Sequence, residues 1–352
     1  MPEHSPIRIL EEVVIDGGKE KRHRAWPTLE LTQAGDLVVA YRCGPDHHIT
    51  DAGALYVARS QDGGGTWSAG QPIAAEPGWN IYTNHGMTRL GDGTLLLHGI
   101  WGRHIGEAKK EFYARARYTK SHDGFLWGEW GRELDFPFLS PTGRGFPYGK
   151  IHQLASGRLM VPFYGTPLQA TDPGHRVLAV VYSADGGDTW GEFSLLHNDT
   201  KGDICPSETD IIRLADGRYL ALIRANARRR LYRSYSGDEG NTWSSLEPTA
   251  MPGQCPALLR LASGALLCAY RDVSQVGAAA DSGVACALSR DEGQSWDPLG
   301  YIYRGANADC AYPSMVALPE GRIFLTFYTA AQPAAATGSC EIRGLLLEER
   351  AP

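Results

Sequence analysis

The stretch Cys205–Trp243, CPSETDIIRLADGRYLALIRANARRRLYRSYSGDEGNTW, decides the fold. Its opening run places apolar residues at every second position, which is strand periodicity. Ala215-Asp216-Gly217 then supplies a tight turn, and Tyr219 to Ile223 make a second, almost wholly apolar strand. A third strand, Arg230 to Tyr235, runs into the box Ser236-Gly-Asp238-Glu-Gly240-Asn-Thr242-Trp243.

Outward from this stretch the same turn returns along the whole chain. It reads QAGDL at Gly35, GDGTL at Gly93, ASGRL at Gly157, ADGRY at Gly217, ASGAL at Gly264 and PEGRI at Gly321, at spacings of 58, 64, 60, 47 and 57 residues. Glycine as the second residue of a type I′ hairpin turn is the expected geometry, because that position needs positive φ. The box returns too, at Ser60–Trp67, Ser183–Trp190 and Ser289–Trp296, with a degenerate copy at Ser121–Trp127. In each box the Asp is expected to cap backbone amides, the Gly to turn left-handed and the Trp to pack between neighbouring units. These boxes are architecture, not active site.

Four strands per unit, six units and no long helical pattern predict an all-β chain: a six-bladed β-propeller of four-stranded antiparallel blades, one domain over 1–352. The run from Ile7 alternates, as does the run from Ile342, so the terminal strands are expected to pair in one blade and close the ring. Residues 330–338 read as a long loop in the last blade.

Charged residues make up 21% and apolar residues 43%, the balance of a globular chain. A net charge of -6 argues against nucleic-acid binding through a basic surface. Seven cysteines without CxxC spacing indicate neither a zinc site nor a disulfide framework, and read as buried free thiols in a reducing compartment. No apolar run reaches the length of a membrane span, and the first residues carry no signal-peptide pattern. The expectation is a cytoplasmic monomer or small homo-oligomer, secreted only if a leader has been removed. With no metal cluster or phosphate loop, no cofactor is assigned.

The units stop being alike in the segments leading into each first strand. These read Arg24-Ala-Trp26-Pro27, Thr83-Asn84-His85-Gly86, Pro147-Tyr148-Gly-Lys150-Ile-His152, Pro206-Ser-Glu208-Thr-Asp210, Gln254-Cys255-Pro256 and Ala311-Tyr312-Pro313. First strands line a propeller's axis, so these six polar and unlike segments converge on one mouth. That mouth is the expected site, and a carbohydrate its expected ligand.

Four boxes of the form S-x-D-x-G-x-[TS]-W, with the degenerate fifth, resemble the Asp-box repeats of the sialidase (neuraminidase) superfamily of six-bladed propellers. The resemblance covers nearly the whole chain. Bacterial sialidases carry an Arg-Ile-Pro motif before the first hairpin, where Arg24-Ala-Trp26-Pro27 stands here with an extra residue. Glu208 matches their fourth-blade Glu, Leu222-Ile-Arg224-Ala-Asn226 resembles their following Arg segment, and Ala311-Tyr312-Pro-Ser314-Met315 resembles their tyrosine segment.

The resemblance implies a retaining exo-glycosidase acting on a terminal α-linked sialic acid or related acidic sugar. Tyr312 would be the nucleophile and Glu208 its base, since a phenol needs a neighbouring proton acceptor to attack. A neutral phenol also escapes the repulsion that a carboxylate would feel beside an anionic sugar. Asp46, in the loop Tyr41–Asp51, would be the acid, with Asp51 in reserve. Arg24, Arg224 and Arg271 would clamp the sugar carboxylate. Arg42, Asn84, His85 and His152 complete the expected substrate-binding set.

Two departures point to an altered substrate. The fifth-blade segment Ser282–Leu288 lacks the family's third clamp arginine, which leaves Arg271 as substitute, and Asn84-His85 stands where the family has an aspartate. The alternatives are therefore a neutral-sugar glycosidase such as a rhamnosidase, a uronate lyase using His85 or His152 with Tyr312, and a non-catalytic glycan-binding propeller.

Overall fold

Each repeated glycine closes a turn between two paired strands, though not the turn the sequence suggested. Gly35 donates its N–H to the Thr32 carbonyl at 3.1 Å, while Thr32 donates to Asp36 at 2.8 Å. Three residues therefore lie inside the loop: a tight turn followed by Gly35 at φ 91°. This is the three-residue hairpin ending in a glycine bulge, not the two-residue I′ turn. The copies at Gly93, Gly157, Gly217 and Gly264 repeat both hydrogen bonds. The sixth is a single 3-10 turn, Pro319–Gly321.

The computed structural model describes residues 5–17, 22–47, 51–106, 111–134, 136, 138–140, 145–274, 282–305, 309–331 and 339–350. Among them the regular structure is strand apart from one 3-10 turn, so the protein is all-β. Most of the loop expected at 330–338 lies outside these residues. Unit four pairs Pro206–Arg213, Tyr219–Ala225, Arg230–Ser236 and Glu247–Pro248 in that order, all antiparallel. Unit five repeats this with Gly253–Arg260, Leu266–Asp272, Gly283–Ser289 and Asp297–Arg304. In units two and three the innermost strand is split, Asn80–Tyr82 and Met87–Arg89 in one, Phe146–Pro147 and His152–Gln153 in the other.

Unit six runs Cys310–Ala317, Arg322–Ala330, Cys340–Glu349, and its outer strand is the N-terminal Ile7–Asp16, antiparallel to Cys340–Glu349. The expected pairing of the two terminal strands is thus present. Unit one, His23–Leu31, Leu37–Gly44, Ala54–Ser60 and Gln71–Ala74, joins unit six through one parallel pair, His23 with Cys340.

Two kinds of contact hold neighbouring units together. The first is the box. In unit five, Asp291 accepts the Ser295 N–H at 2.9 Å and its hydroxyl at 2.6 Å, Ser289 Oγ takes the Gly293 N–H at 2.9 Å, and Trp296 Nε1 donates to the Gly293 carbonyl at 3.1 Å. The Asp62, Asp185 and Asp238 boxes have the same bonds. The tryptophans pack on the preceding unit: Trp190 stacks on Tyr118 with ring centroids 4.7 Å apart, and Trp67 meets Phe324 of unit six at 5.6 Å.

The second kind lies along the innermost strands. A short polar side chain of one unit accepts a backbone N–H of the next: Thr28 from Met87 (3.2 Å), Thr88 from Ile151 (2.8 Å), Asp210 from Leu258 (2.7 Å) and Ser314 from Leu29 (3.0 Å). Lys150 crosses among them to Glu30 Oε2 at 3.4 Å and the Met315 carbonyl at 3.3 Å. These side chains look like surface residues in the sequence, yet Thr28, Asp210 and Ser314 are buried.

Candidate active site

Four innermost strands carry the same irregularity. Ala25 pairs with Arg42 and Thr28 with Ala40, so the inner strand has one residue too many. The same excess falls between Pro206 and Thr209, Gln254 and Ala257, and Ala311 and Ser314. A bulge of this kind re-aims side chains out of the strand's alternation. In three of the four, the residue before proline is forced to positive φ: Trp26 at 56°, Cys255 at 51° and Tyr312 at 50°. Positive φ is rare for residues this bulky and marks strain held by the surroundings. In unit four the bulge contains Ser207 and Glu208, with Glu208 in the place the prolines take elsewhere.

The bulges bring Glu208 and Tyr312 together, 104 residues apart in the chain. The Tyr312 hydroxyl donates to Glu208 Oε1 at 2.5 Å. Arg224 Nη1 donates to Glu208 Oε2, and the Cys255 thiol reaches the same oxygen at 3.3 Å. Burial, then the neighbouring Cys255 and Glu208, pushes the Tyr312 phenol well above its ordinary range, and Arg224 opposes the rise. The phenol is therefore protonated at neutral pH, with a carboxylate positioned to take that proton.

This cluster lines a cavity of about 600 Å³. Trp26, Tyr82, Phe112, Phe146 and Tyr164 give it an aromatic wall, while Asn84, His47, His104, Arg176, Ser207 and Asn226 add polar groups. Cys205, half-buried, lines it as well; the other six thiols are buried, and all seven are free.

Of the residues picked from the sequence, Tyr312, Glu208, Arg224 and Asn84 line this cavity. The rest are absent from its lining. Arg24 Nε pairs with Asp16 at 2.9 Å, and Asp16 also accepts the Tyr41 hydroxyl at 2.5 Å, beside a different surface hollow. Arg42 is fully buried beneath Trp26, donating to Asn80 Oδ1 at 2.6 Å, to His23 Nδ1 at 3.2 Å and to the Asp46 carbonyl at 2.8 Å. Burial lowers its guanidinium to about 10. Asp46 meets Arg42 through its backbone and is absent from the cavity lining; residues 48–50 of its loop lie outside the described residues. Asp51 accepts the His104 N–H at 2.9 Å and lines a second hollow with Trp79.

His85 stacks on Tyr148 at 5.9 Å, and burial followed by the Lys150 charge lowers it to about 3. His152 packs edge-on to Tyr219, and burial with Lys150 lowers it to about 4. Neither lines the cavity. Arg271 pairs in register with Gln254 at the unit-five bulge and, though absent from the lining, stands close enough for its charge to act on Cys255, Tyr328 and Tyr312.

Sequence reasoning missed a cluster beside the cavity. The Asp309 carboxylate accepts His23 Nε2 at 3.0 Å, the Tyr328 hydroxyl at 2.9 Å and His47 Nδ1 at 2.8 Å, with the Cys340 thiol at 3.5 Å. Burial pushes Asp309 up, but hydrogen bonds from His23 and His47 outweigh it and hold the carboxyl well below the usual range. His23, Asp309 and Cys340 are close enough to share a cation. Their tautomers argue against one: Arg42 donates to His23 Nδ1, so His23 carries its proton on Nε2 and spends it on Asp309. No motif announces Asp309, and only its place before the last first strand could have drawn notice.

The BNR repeat-like domain family matches residues 84–325 of the chain. No curated protein matches it in sequence. A protein of unknown function from Dyadobacter fermentans superposes with a TM-score of 0.82 at 21% identity, over 99% of this chain and 100% of that one. The intramolecular trans-sialidase of Ruminococcus gnavus, solved with oseltamivir carboxylate, gives 0.68 at 13% identity over 97% and 98%. An α-L-arabinanase of Penicillium chrysogenum complexed with arabinobiose gives 0.68 at 14% over 96% and 98%. At these identities the likeness is one of fold, and the fold is sialidase-like.

Proposed function

The chain belongs to the BNR repeat-like family, and from that membership we propose that it is a retaining exo-glycosidase on a single six-bladed propeller closed by its terminal strands. The observation that carries this is the hydrogen bond from Tyr312 to Glu208, with Arg224 on the same carboxylate, at the wall of a sugar-sized cavity. Tyr312 attacks the anomeric carbon as Glu208 takes the phenolic proton, with Arg224 donating to the other oxygen of the same carboxylate. The aromatic wall offers flat surfaces to the apolar face of a sugar ring.

A terminal α-linked sialic acid or related acidic sugar is the substrate a tyrosine nucleophile supports best, because a neutral phenol is not repelled by the sugar carboxylate. One observation favours a second reading, a neutral-sugar glycosidase. Of the three arginines expected to clamp a carboxylate, Arg224 alone lines the cavity, and its Nη1 is engaged by Glu208.

Fluorogenic α-sialoside, α-L-arabinofuranoside and α-L-rhamnoside, with the product anomer followed by NMR, test both readings. Wild type should release one of them with retention, and Tyr312→Phe should lose about 10³-fold in turnover. Turnover of none, with glycan binding unchanged in Glu208→Gln, identifies a non-catalytic binding propeller instead.

A further inference from the structure

The glycosidase reading leaves the leaving oxygen without a proton donor. Among the described residues Glu208 is the one carboxylate in the cavity lining, and Tyr312, Arg224 and Cys255 already occupy it. Asp46 and Asp51, the acids expected from the sequence, are absent from that lining. Two histidines remain on the wall, His47 and His104. Their supports differ. His104 Nδ1 lies 3.7 Å from Asp51, beyond hydrogen-bond reach, and that carboxylate oxygen takes the His104 backbone N–H instead. His47 Nδ1 lies 2.8 Å from Asp309.

We propose, resting on the glycosidase reading above, that His47 is the general acid and base of the reaction and that Asp309 is its positioning residue. An ionised carboxylate can only accept, so His47 Nδ1 bears a proton and Nε2 is the working nitrogen. Asp309 is fixed in turn: His23 and Cys340 donate to Oδ2, Tyr328 and His47 to Oδ1. This is the base-and-orienter logic of a catalytic triad, with a histidine aimed into the site and held from behind. The ring stands 5.9 Å from that of Trp26, which also meets Tyr312 at 6.4 Å, so one indole separates nucleophile and acid.

The protons balance over two steps. In the first, the Tyr312 oxygen bonds to the anomeric carbon and its proton passes to Glu208. The glycosidic C–O bond breaks, and the leaving oxygen takes the proton from His47 Nε2. In the second, neutral His47 removes a proton from water as the water oxygen bonds to the anomeric carbon. The C–O bond to Tyr312 breaks, and the phenolate recovers its proton from Glu208.

The experiment compares wild type, His47→Gln, Asp309→Asn and His104→Gln on 2,4-dinitrophenyl and methyl glycosides of the sugar that wild type accepts, with and without azide. A 2,4-dinitrophenolate leaves without protonation, whereas methoxide does not. His47→Gln should lose about 10²-fold or more on the methyl glycoside and far less on the dinitrophenyl one, and azide should yield a glycosyl azide of retained configuration. Asp309→Asn should shift the ratio of the two rates in the same direction by less, and His104→Gln should leave it unchanged. The side chain of His47 is half exposed, and a thermal melt of His47→Gln matching wild type excludes misfolding. Equal losses on both leaving groups, or the leaving-group signature in His104→Gln, overturn the assignment while the glycosidase reading stands. No turnover by wild type on any glycoside overturns both.

Discussion

Glu208 receives three donors of different kinds: a phenol, a guanidinium and a thiol. Only the phenol has to lose its proton, so the three should be separable by substitution. Glu208→Gln keeps the shape but cannot accept the proton, and turnover should fall by about 10² to 10⁴-fold. Cys255→Ala removes a weak donor and should cost less than about tenfold; kcat for both variants checks this. Arg24 offers a second contrast. Arg24→Met should leave KM for an anionic glycoside unchanged and lower stability by about 1–3 kcal/mol, since it strands a part-buried Asp16. Arg224→Met should instead abolish turnover. The Tyr312–Glu208 pairing was legible in the sequence because a Glu and a Tyr in two unlike lead-in segments have few structural reasons to be there. Arg24 misled because strand alternation has a period of two: one residue of displacement turns a side chain to the opposite face. The bulge at Trp26-Pro27 supplies that displacement, sending Trp26 to the cavity and leaving Arg24 on Asp16. A bulge leaves little trace in a sequence, though the recurring X-Pro at 26, 255 and 312 is one.

At the scale of the hairpin, two glycines with almost the same backbone do different work. Gly264 closes a loop at φ 90° and faces open space, whereas Gly293 in the fifth box stands at φ 81° against unit four, where a methyl would lie 2.3 Å from Leu220 Cδ2. Gly264→Ala should therefore cost about 1–2 kcal/mol of backbone strain alone. Gly293→Ala should cost about 1–3 kcal/mol more, because Leu220 has to move within the seam between units. Urea unfolding of the two variants gives the difference, and equal costs would mean that the boxes do not bear on the seams. The boxes were legible because Asp, Gly and Trp each have one role that spacing reveals. The inner seam was not: Thr28, Thr88, Asp210 and Ser314 accept N–H groups from residues 48 to 285 positions away, and no local pattern encodes a partner at that distance.

Across the whole molecule, the inner strands bury titratable groups that make folding depend on pH. His85 and His98 are almost inaccessible, and burial above all lowers each to about 3. Asp210 is equally hidden, and burial raises it to about 6 against the pull of the Leu258 N–H and Lys150. The two effects have opposite signs. A histidine depressed in the native state leaves the unfolded chain binding more protons below pH 6.5, so its contribution to stability is complete above 6.5 and drains as pH falls toward 3. The raised Asp210 binds its proton in the native state first, so it returns stability as pH falls from about 6 toward its unfolded value near 3.8. At pH 4.5 each histidine costs about 3 kcal/mol and Asp210 gives back about 2 kcal/mol, a net loss of several kcal/mol. Folding free energies run from about 5 to 15 kcal/mol, so a loss of this size is a large part of the total. Urea unfolding at pH 7.5 and pH 4.5 should show the midpoint falling steeply on acidification. Asp210→Asn keeps an acceptor for Leu258 and removes the buried charge: it should be more stable than wild type at pH 7.5 and lose more between the two pH values. A wild-type midpoint that does not move, or an Asp210→Asn variant that falls no further than wild type, would show that these groups do not govern the acid stability of the fold.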